Sequence, residues 1–187
     1  PIQNDAIPPA LEGRDVLACA MTGSGKSAAF LLPILNRLMG KKRGTTRALI
    51  LTPTRELAAQ IDEHLRDLAV HTPLSGAAIF GGVGMGPQEH AFRSGVDVLV
   101  ATPGRLLDHF QYNYAKLEGL EVLVLDEPMA GLDPAARRDF LGLIDRLHRD
   151  GLTVVMVSHS MDDLANCCDR IVVMNEGAVF AEGTPAQ

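Results

Sequence analysis

Short apolar runs alternate with longer amphipathic stretches along most of this 187-residue chain. The apolar runs are nearly continuous, which predicts parallel strands that are covered on both faces. These candidate strands are Val16–Ala20, Ala48–Thr52, Ala77–Phe80, Val96–Ala101, Val122–Leu125 and Thr153–Val157. The candidate helices are Lys26–Met39, Arg55–Ala69, Pro87–Arg93, Arg105–Phe110, Pro134–Asp150 and Met161–Cys168. This alternation predicts an α/β fold with a mainly parallel, doubly wound sheet.

The end of the chain departs from the alternation. Two short runs, Arg170–Asn175 and Ala178–Glu182, flank Glu176-Gly177 and predict an antiparallel C-terminal β-hairpin. Because no linker-like stretch divides the chain, we expect a single domain over residues 1–187.

Composition narrows the classes of partner. The formal net charge is −6, and the chain has no Trp and only two Tyr. These features argue against nucleic-acid binding by bulk electrostatics and leave little aromatic surface for stacking bases. No apolar run approaches the ~18–20 residues that a membrane-spanning helix needs. We therefore expect a cytoplasmic protein without a membrane partner.

A glycine-rich segment, Ala20-Met21-Thr22-Gly23-Ser24-Gly25-Lys26-Ser27, lies between the first candidate strand and the first candidate helix. This is the setting of a phosphate-binding loop, in which backbone N–H groups and the helix N-terminus face the phosphates. Lys26 is predicted to reach the β- and γ-phosphates, and the Ser27 hydroxyl to bind Mg²⁺. The residues predicted to contact the nucleotide here are Thr22, Gly23, Ser24, Gly25, Lys26 and Ser27. The segment therefore predicts a site for ATP or ADP with Mg²⁺.

An acidic pair, Asp126-Glu127, ends the apolar run that begins at Val122. The carboxyl edge of an open α/β sheet is where ligands bind, so both side chains are expected at the nucleotide. We expect Asp126 to hold Mg²⁺ and Glu127 to orient and deprotonate the attacking water.

Residues 1–127 resemble the first RecA-like domain of a DEAD-box RNA helicase. The motifs that carry the resemblance are Pro1-Ile2-Gln3, the loop A-x-T-G-S-G-K-S, Pro53-Thr54-Arg55-Glu56-Leu57-Ala58-Ala59-Gln60, Gly81-Gly82 and Thr102-Pro103-Gly104-Arg105. The resemblance implies a P-loop NTPase domain in which Gln3 recognises adenine. It also implies contacts with the backbone of single-stranded RNA from Arg55, Gly82, Thr102 and Arg105. Such contacts position a strand without reading its sequence.

From about residue 122 onward the chain resembles the C-terminal part of an ABC-transporter ATP-binding subunit of the vitamin or metal-ion importer type. The resemblance rests on Leu125-Asp126-Glu127-Pro128-Met129-Ala130-Gly131-Leu132-Asp133-Pro134 and on Thr153-Val154-Val155-Met156-Val157-Ser158-His159-Ser160. It implies that His159 is a switch histidine at the γ-phosphate. The two resemblances together are interpreted as a chimera joined at Asp126-Glu127. The abrupt start at Pro1 favours an engineered chimera over a natural gene fusion.

Neither resemblance is complete. An LSGGQ-like signature is missing before Val122, so a transporter dimer is not expected, and a second helicase domain with its arginine fingers is missing as well. The leading hypothesis is Mg²⁺-dependent binding of ATP or ADP with at most weak hydrolysis. The alternatives are a weak single-stranded RNA-binding module and an inactive hybrid scaffold.

Overall fold

A computed structural model describes residues 2–12, 25–126, 128–129, 132–149, 154–157, 171–175 and 178–184. Its helices are α1 (Ile2–Leu11), α2 (Lys26–Leu38), α3 (Arg55–Ala69), α4 (Met85–Ser94), α5 (Pro103–Phe110) and α6 (Pro134–Arg149). Its strands are β1 (Ala48–Leu51), β2 (Gly76–Ile79), β3 (Val98–Ala101), β4 (Val122–Asp126), β5 (Val154–Val157), β6 (Ile171–Asn175) and β7 (Ala178–Gly183).

The first five strands form one parallel sheet in the order β2-β3-β1-β4-β5. Side chains of β1 alternate between two apolar cores, as the pleat of a strand requires. Leu49 and Leu51 join a core with residues of α4, α5 and α6, whereas Ala48 and Ile50 join a core with residues of α2 and α3. Helices therefore cover both faces of the sheet, which confirms the predicted doubly wound α/β fold.

The predicted C-terminal hairpin is also present. Strands β6 and β7 pair antiparallel as a separate two-stranded sheet, with an irregular register between Val173 and Met174. The last strand of the parallel sheet, β5, pairs with β4. The predicted strand Val16–Ala20 and the predicted helix Met161–Cys168 lie outside the described residues.

One helix was missed from the sequence. Helix α1 runs through Pro8 and Pro9, which are poor residues for a helix interior. Packing offsets this defect, because α1 lies against α2 and buries Ile2 and Ala6. Tertiary contacts thus decide the conformation of this segment, and they are invisible in local propensity.

The amino-terminal edge of the sheet carries a buried ionic cluster. Arg47 is 4% exposed and donates through Nη2 to Asp97 Oδ1 at 3.2 Å and to the Leu38 carbonyl at 3.0 Å. Asp97 is fully buried and also accepts from Arg43 Nε at 3.0 Å and from the Ser75 backbone N–H at 2.9 Å. Arg43, in the turn between α2 and β1, is therefore bonded to a buried carboxylate although its own side chain is 43% exposed.

Candidate functional site

Three strand ends bring polar side chains to the carboxyl edge of the sheet. Thr52 follows β1, Thr102 follows β3, and Asp126 is the last residue of β4. The Thr52 N–H donates to the Ala101 carbonyl at 3.0 Å, so the first two of these strand ends are bonded side by side. Because Leu51 pairs with Leu125, continuing that register places Thr52 beside Asp126. Among the described residues, nothing bonds the fully buried hydroxyl of Thr52.

The end of the phosphate loop meets helix α2 as the sequence predicts. Gly25 is the N-cap and adopts a left-handed conformation with φ of +86°, which is costly for any residue with a Cβ. Gly25 has no side chain with which to cap the helix, and Lys26 and Ser27 form its first turn. The first backbone N–H groups of a helix lack partners within it and attract anions. This helix start is therefore suited to a phosphate group.

Gln3 of α1 lies against this helix start. Its Nε2 donates to the Gly25 carbonyl at 3.3 Å. A Cβ built on Gly25 would lie 2.5 Å from the same nitrogen, so the contact depends on glycine. The structure thus joins Gln3 to the phosphate loop, while adenine recognition by Gln3 stays a prediction.

Several predicted site residues lie outside the described residues, namely Thr22, Gly23, Ser24, Glu127 and His159. The catalytic roles given to Lys26, Glu127 and His159 stay predictions. The residues that are described fit a magnesium nucleotide. A lysine and a hydroxyl stand at a helix start whose N-cap residue is glycine, and Asp126 with its carboxylate ends a strand of the sheet. Hydroxyl and carboxylate oxygens are hard donors of the kind that Mg²⁺ prefers.

The structure brings together two of the four residues predicted to contact RNA. Arg55 begins α3, which is capped by the Thr54 hydroxyl, and its side chain is 65% exposed. Gly82 has φ of +83°, and a Cβ built on it would lie 3.2 Å from Arg55 Nη1. Arg55 also donates to Glu56 Oε1 at 2.7 Å, and this bond raises the pKa of Arg55. The exposed, charged guanidinium of Arg55 thus lies beside the backbone at Gly82, where no side chain covers it.

Arg105 has a different setting. Its side chain is only 13% exposed, and it donates to the Val83 carbonyl at 2.6 Å and to Gln88 Oε1 at 3.3 Å. These bonds make Arg105 a positioning residue for the loop that contains Gly82, and contact with RNA stays a prediction for it. Thr102 precedes α5 without capping it through its side chain, and its contact with RNA likewise stays a prediction.

Sequence reasoning missed a buried polar cluster next to this loop. His109 is fully buried, with Nε2 3.1 Å from Gln88 Oε1 and Nδ1 3.0 Å from the Tyr114 hydroxyl. The only signal in the sequence was the close spacing of the two tyrosines at 112 and 114.

Comparison with known proteins identifies relatives. The profile of the DEAD/DEAH box helicase family matches residues 1–166. The chain is 49% identical over 141 residues to the ATP-dependent RNA helicase SrmB of Escherichia coli, which is 74% of this chain and 32% of that protein. It is 38% identical over 172 residues to the DEAD-box ATP-dependent RNA helicase RhpA of Helicobacter pylori, which is 92% of this chain and 35% of that protein. The chain therefore spans about a third of the length of these curated relatives.

Solved helicase structures align with most of this chain. A hypothetical ATP-dependent RNA helicase from Sulfolobus tokodaii aligns with a TM-score of 0.68 and 33% identity over 79% of this chain and 42% of that one. The yeast DEAD-box splicing factor Prp28 aligns with a TM-score of 0.71 and 28% identity over 88% of this chain and 42% of that one. The predicted RecA-like fold is thereby confirmed.

The same comparisons bear on the other expectations. The family profile extends 39 residues past Glu127, and neither an ABC-transporter segment nor an engineered origin finds support in the matches. Members of the matched family bind ATP or ADP with Mg²⁺, which confirms the predicted cofactors at the level of the family. In the part of the chain that is described, no helix is both long and apolar enough to span a membrane. A cytoplasmic location stays a prediction.

Proposed function

The chain belongs to the DEAD/DEAH box helicase family, and we propose that it is a single nucleotide-binding unit that also holds single-stranded RNA. The contact between Gln3 and the Gly25 carbonyl carries this proposal. It joins the residue expected to recognise the base to the loop expected to hold the phosphates. A nucleotide needs both groups within reach of one bound molecule.

The proposed nucleotide site divides its tasks among few residues. Lys26 would bind the phosphates electrostatically, and Ser27 and Asp126 would hold Mg²⁺. Bound Mg²⁺ would neutralise negative charge on the phosphates. Glu127 would orient the attacking water and accept a proton from it.

We expect hydrolysis by this segment alone to be slow. An arginine finger contributes on the order of 10³–10⁵ to the rate of phosphoryl-transfer enzymes. The two arginines that the sequence assigns to RNA contacts are Arg55, which lies beside Gly82, and Arg105, which donates to Val83 and Gln88. Neither arginine is assigned to the γ-phosphate, so this proposal includes no arginine finger from the chain.

The RNA component of the proposal rests on Arg55 and Gly82. A guanidinium can form paired hydrogen bonds with a phosphate, and a glycine lets a sugar-phosphate backbone approach closely. The ion pair with Glu56 is exposed, so a phosphate can replace it at small cost. Such binding is independent of sequence and sensitive to salt.

Fluorescence anisotropy with labelled oligouridylate tests the RNA component. We expect Arg55→Ala to weaken binding and to reduce the salt slope by about 0.7, the value for one phosphate contact on a single strand. The matched control is Arg37→Ala, which removes the same charge from a half-exposed side chain in the last turn of α2. Equal binding by the two variants would contradict this part of the proposal.

We also propose that the segment from Pro128 completes the site in the manner of an ABC ATPase. The residue pattern supports this. Asp133 Oδ1 accepts the N–H groups of Ala135 and Ala136 at 2.8 and 3.1 Å and so caps the start of α6. The two bonds from Ala136 and Ala135 lower the pKa of Asp133.

The comparisons give no direct support to this ABC-like role of the segment from Pro128. SrmB, at 49% identity, matches over 141 residues, whereas RhpA matches over 172 residues at 38%. The test is His159→Ala. We expect slower single-turnover ATP hydrolysis with unchanged ADP affinity. Unchanged hydrolysis would contradict the role of His159.

A further inference from the structure

The two tyrosines of the chain line one surface cavity of about 510 Å³. We call it the tyrosine pocket, and its lining residues are Met85, Glu89, Arg93, Tyr112, Asn113 and Tyr114. The rings of Tyr112 and Tyr114 are nearly parallel, at 9°, with their centroids 5.5 Å apart. Tyr112 is 53% exposed, so part of its ring is open to a ligand. The pocket is large enough for a small planar group.

The position of Tyr114 is determined by the buried histidine behind it. Gln88 Nε2 donates to the Phe80 carbonyl at 3.0 Å, so Gln88 Oε1 is an acceptor. His109 Nε2 must then carry the proton that bonds to this oxygen, and His109 Nδ1 must accept from the Tyr114 hydroxyl. Burial, followed by the charge of Arg105, lowers the pKa of His109 and so favours the neutral imidazole. Tyr114 is thus held by a hydrogen bond of defined direction.

The same bonds connect the pocket to the loop at Gly82. Arg105 donates both to Gln88 and to the Val83 carbonyl, next to Gly82. Gln88 holds the two ends of this loop through the carbonyls of Phe80 and Gly84. The proposed RNA contact and the tyrosine pocket are therefore two ends of one bonded cluster.

Helix α4 supplies the surface between Gly82 and the tyrosine pocket. It begins at Met85, directly after the loop, and its pocket residues Met85, Glu89 and Arg93 recur every four positions on one face. Eight residues of helix span about 12 Å, so the pocket extends away from Gly82 over a short distance. A strand that passes Gly82 can reach it without leaving the protein surface.

The pocket combines an aromatic surface with hydrogen-bonding groups that suit a base. Arg93 Nε donates to Glu89 Oε1 at 2.7 Å, and its guanidinium also lies over the Tyr114 ring, 5.1 Å from the centroid. The Arg93 guanidinium is thus held by both the Glu89 carboxylate and the Tyr114 ring, and the Arg93–Glu89 pair carries no net charge. The carboxylate and the Asn113 amide remain as hydrogen-bonding groups of the kind that meet base edges.

We propose that the tyrosine pocket is a stacking site for a base of the single-stranded RNA whose backbone contacts Arg55 and Gly82. The inference rests on the proposed RNA binding and adds a second, base-directed contact to it. Stacking on an aromatic ring is tolerant of sequence, so the pocket accepts a pyrimidine or a purine.

Anisotropy titrations of labelled oligouridylate with four proteins test this site. They are the unmodified protein, Tyr112→Ala, Tyr112→Phe and Arg55→Ala. We expect Tyr112→Ala to raise the Kd about five- to tenfold, the lower part of the range for one stacked base, because the ring is half exposed. Tyr112→Phe keeps the ring and should restore the affinity to within about twofold. An abasic oligonucleotide of the same length should bind the unmodified protein and Tyr112→Ala equally.

Intrinsic fluorescence gives an independent readout, since the chain has no Trp and both tyrosines line the pocket. Oligouridylate should quench this emission, after correction for absorbance with free tyrosine, and the abasic oligonucleotide should not. If Tyr112→Ala binds RNA as tightly as the unmodified protein while Arg55→Ala binds weakly, the stacking site is overturned and the proposed function stands. If the unmodified protein retains no RNA at low salt, both the stacking site and the RNA component of the proposed function are overturned.

Discussion

Replacing Asp97 by Ala should destabilise the fold strongly, because Asp97 is the centre of the buried ionic cluster. The substitution leaves Arg47, 4% exposed, with the Leu38 carbonyl and a Glu121 carboxylate 3.9 Å away. The Ser75 N–H also loses its acceptor. Breaking a buried ion pair from one side costs about 3–5 kcal/mol. Arg43 adds little to this estimate because its side chain is 43% exposed.

Urea unfolding followed by circular dichroism measures the loss directly. For a domain of this size, about 3–5 kcal/mol corresponds to a fall in Tm of about 6–20 °C. Asp97→Asn keeps an acceptor for the Ser75 N–H and should lie between the unmodified protein and Asp97→Ala. The matched control, Asp67→Ala, removes an exposed carboxylate on α3 and should change the free energy of unfolding by less than about 0.5 kcal/mol. A loss under about 1 kcal/mol for Asp97→Ala would refute the reasoning.

Three further perturbations follow from the same structure. Burial opposes ionisation of Asp97, but the Ser75 N–H with Arg43 and Arg47 holds its pKa below the ordinary value. Its contribution to stability is therefore present above the unfolded pKa of about 3.9 and is lost as pH falls through the lower folded pKa. Asp97→Asn should flatten this acid limb in urea titrations, and an unchanged limb would contradict the assignment. Gly25→Ala should weaken nucleotide binding measured by calorimetry, because the added Cβ meets the Gln3 side chain. The control is Gly40→Ala, where φ is +72° and nothing lies within 4 Å of the added Cβ. It costs the same backbone strain of about 1–2 kcal/mol and should leave binding unchanged. Thr52→Val removes a buried hydroxyl that forms no hydrogen bond with any described residue. We expect it to raise the free energy of unfolding by about 1 kcal/mol. Thermal melting measures the change, and a lower Tm would contradict the prediction.

The five described strands of the parallel sheet could be predicted to within about two residues at either end. Continuous apolar runs such as Ala48–Leu51 are buried on both faces, so their hydrophobicity reports directly on their position. Helix α1 could not be predicted, because Pro8 and Pro9 oppose it locally and only packing on α2 supports it.

The candidate site was predictable where a motif is local and not where it depends on the fold. The left-handed Gly25 before Lys26 follows from the spacing of the phosphate loop. The burial of Arg105 does not, since a basic residue at a helix start has the same appearance in the sequence whether it meets solvent or a neighbouring carbonyl. His109 and Gln88 are polar residues of amphipathic helices, and only the approach of α4 to α5 turns them inward.

Calorimetric titration with Mg²⁺-ATP, in parallel with Lys26→Ala, tests the central claim most directly. The account predicts micromolar binding by the unmodified protein and its loss in the variant, with cooperative unfolding retained by both. Absence of binding by a cooperatively folded, unmodified protein would contradict the account and favour an inactive scaffold.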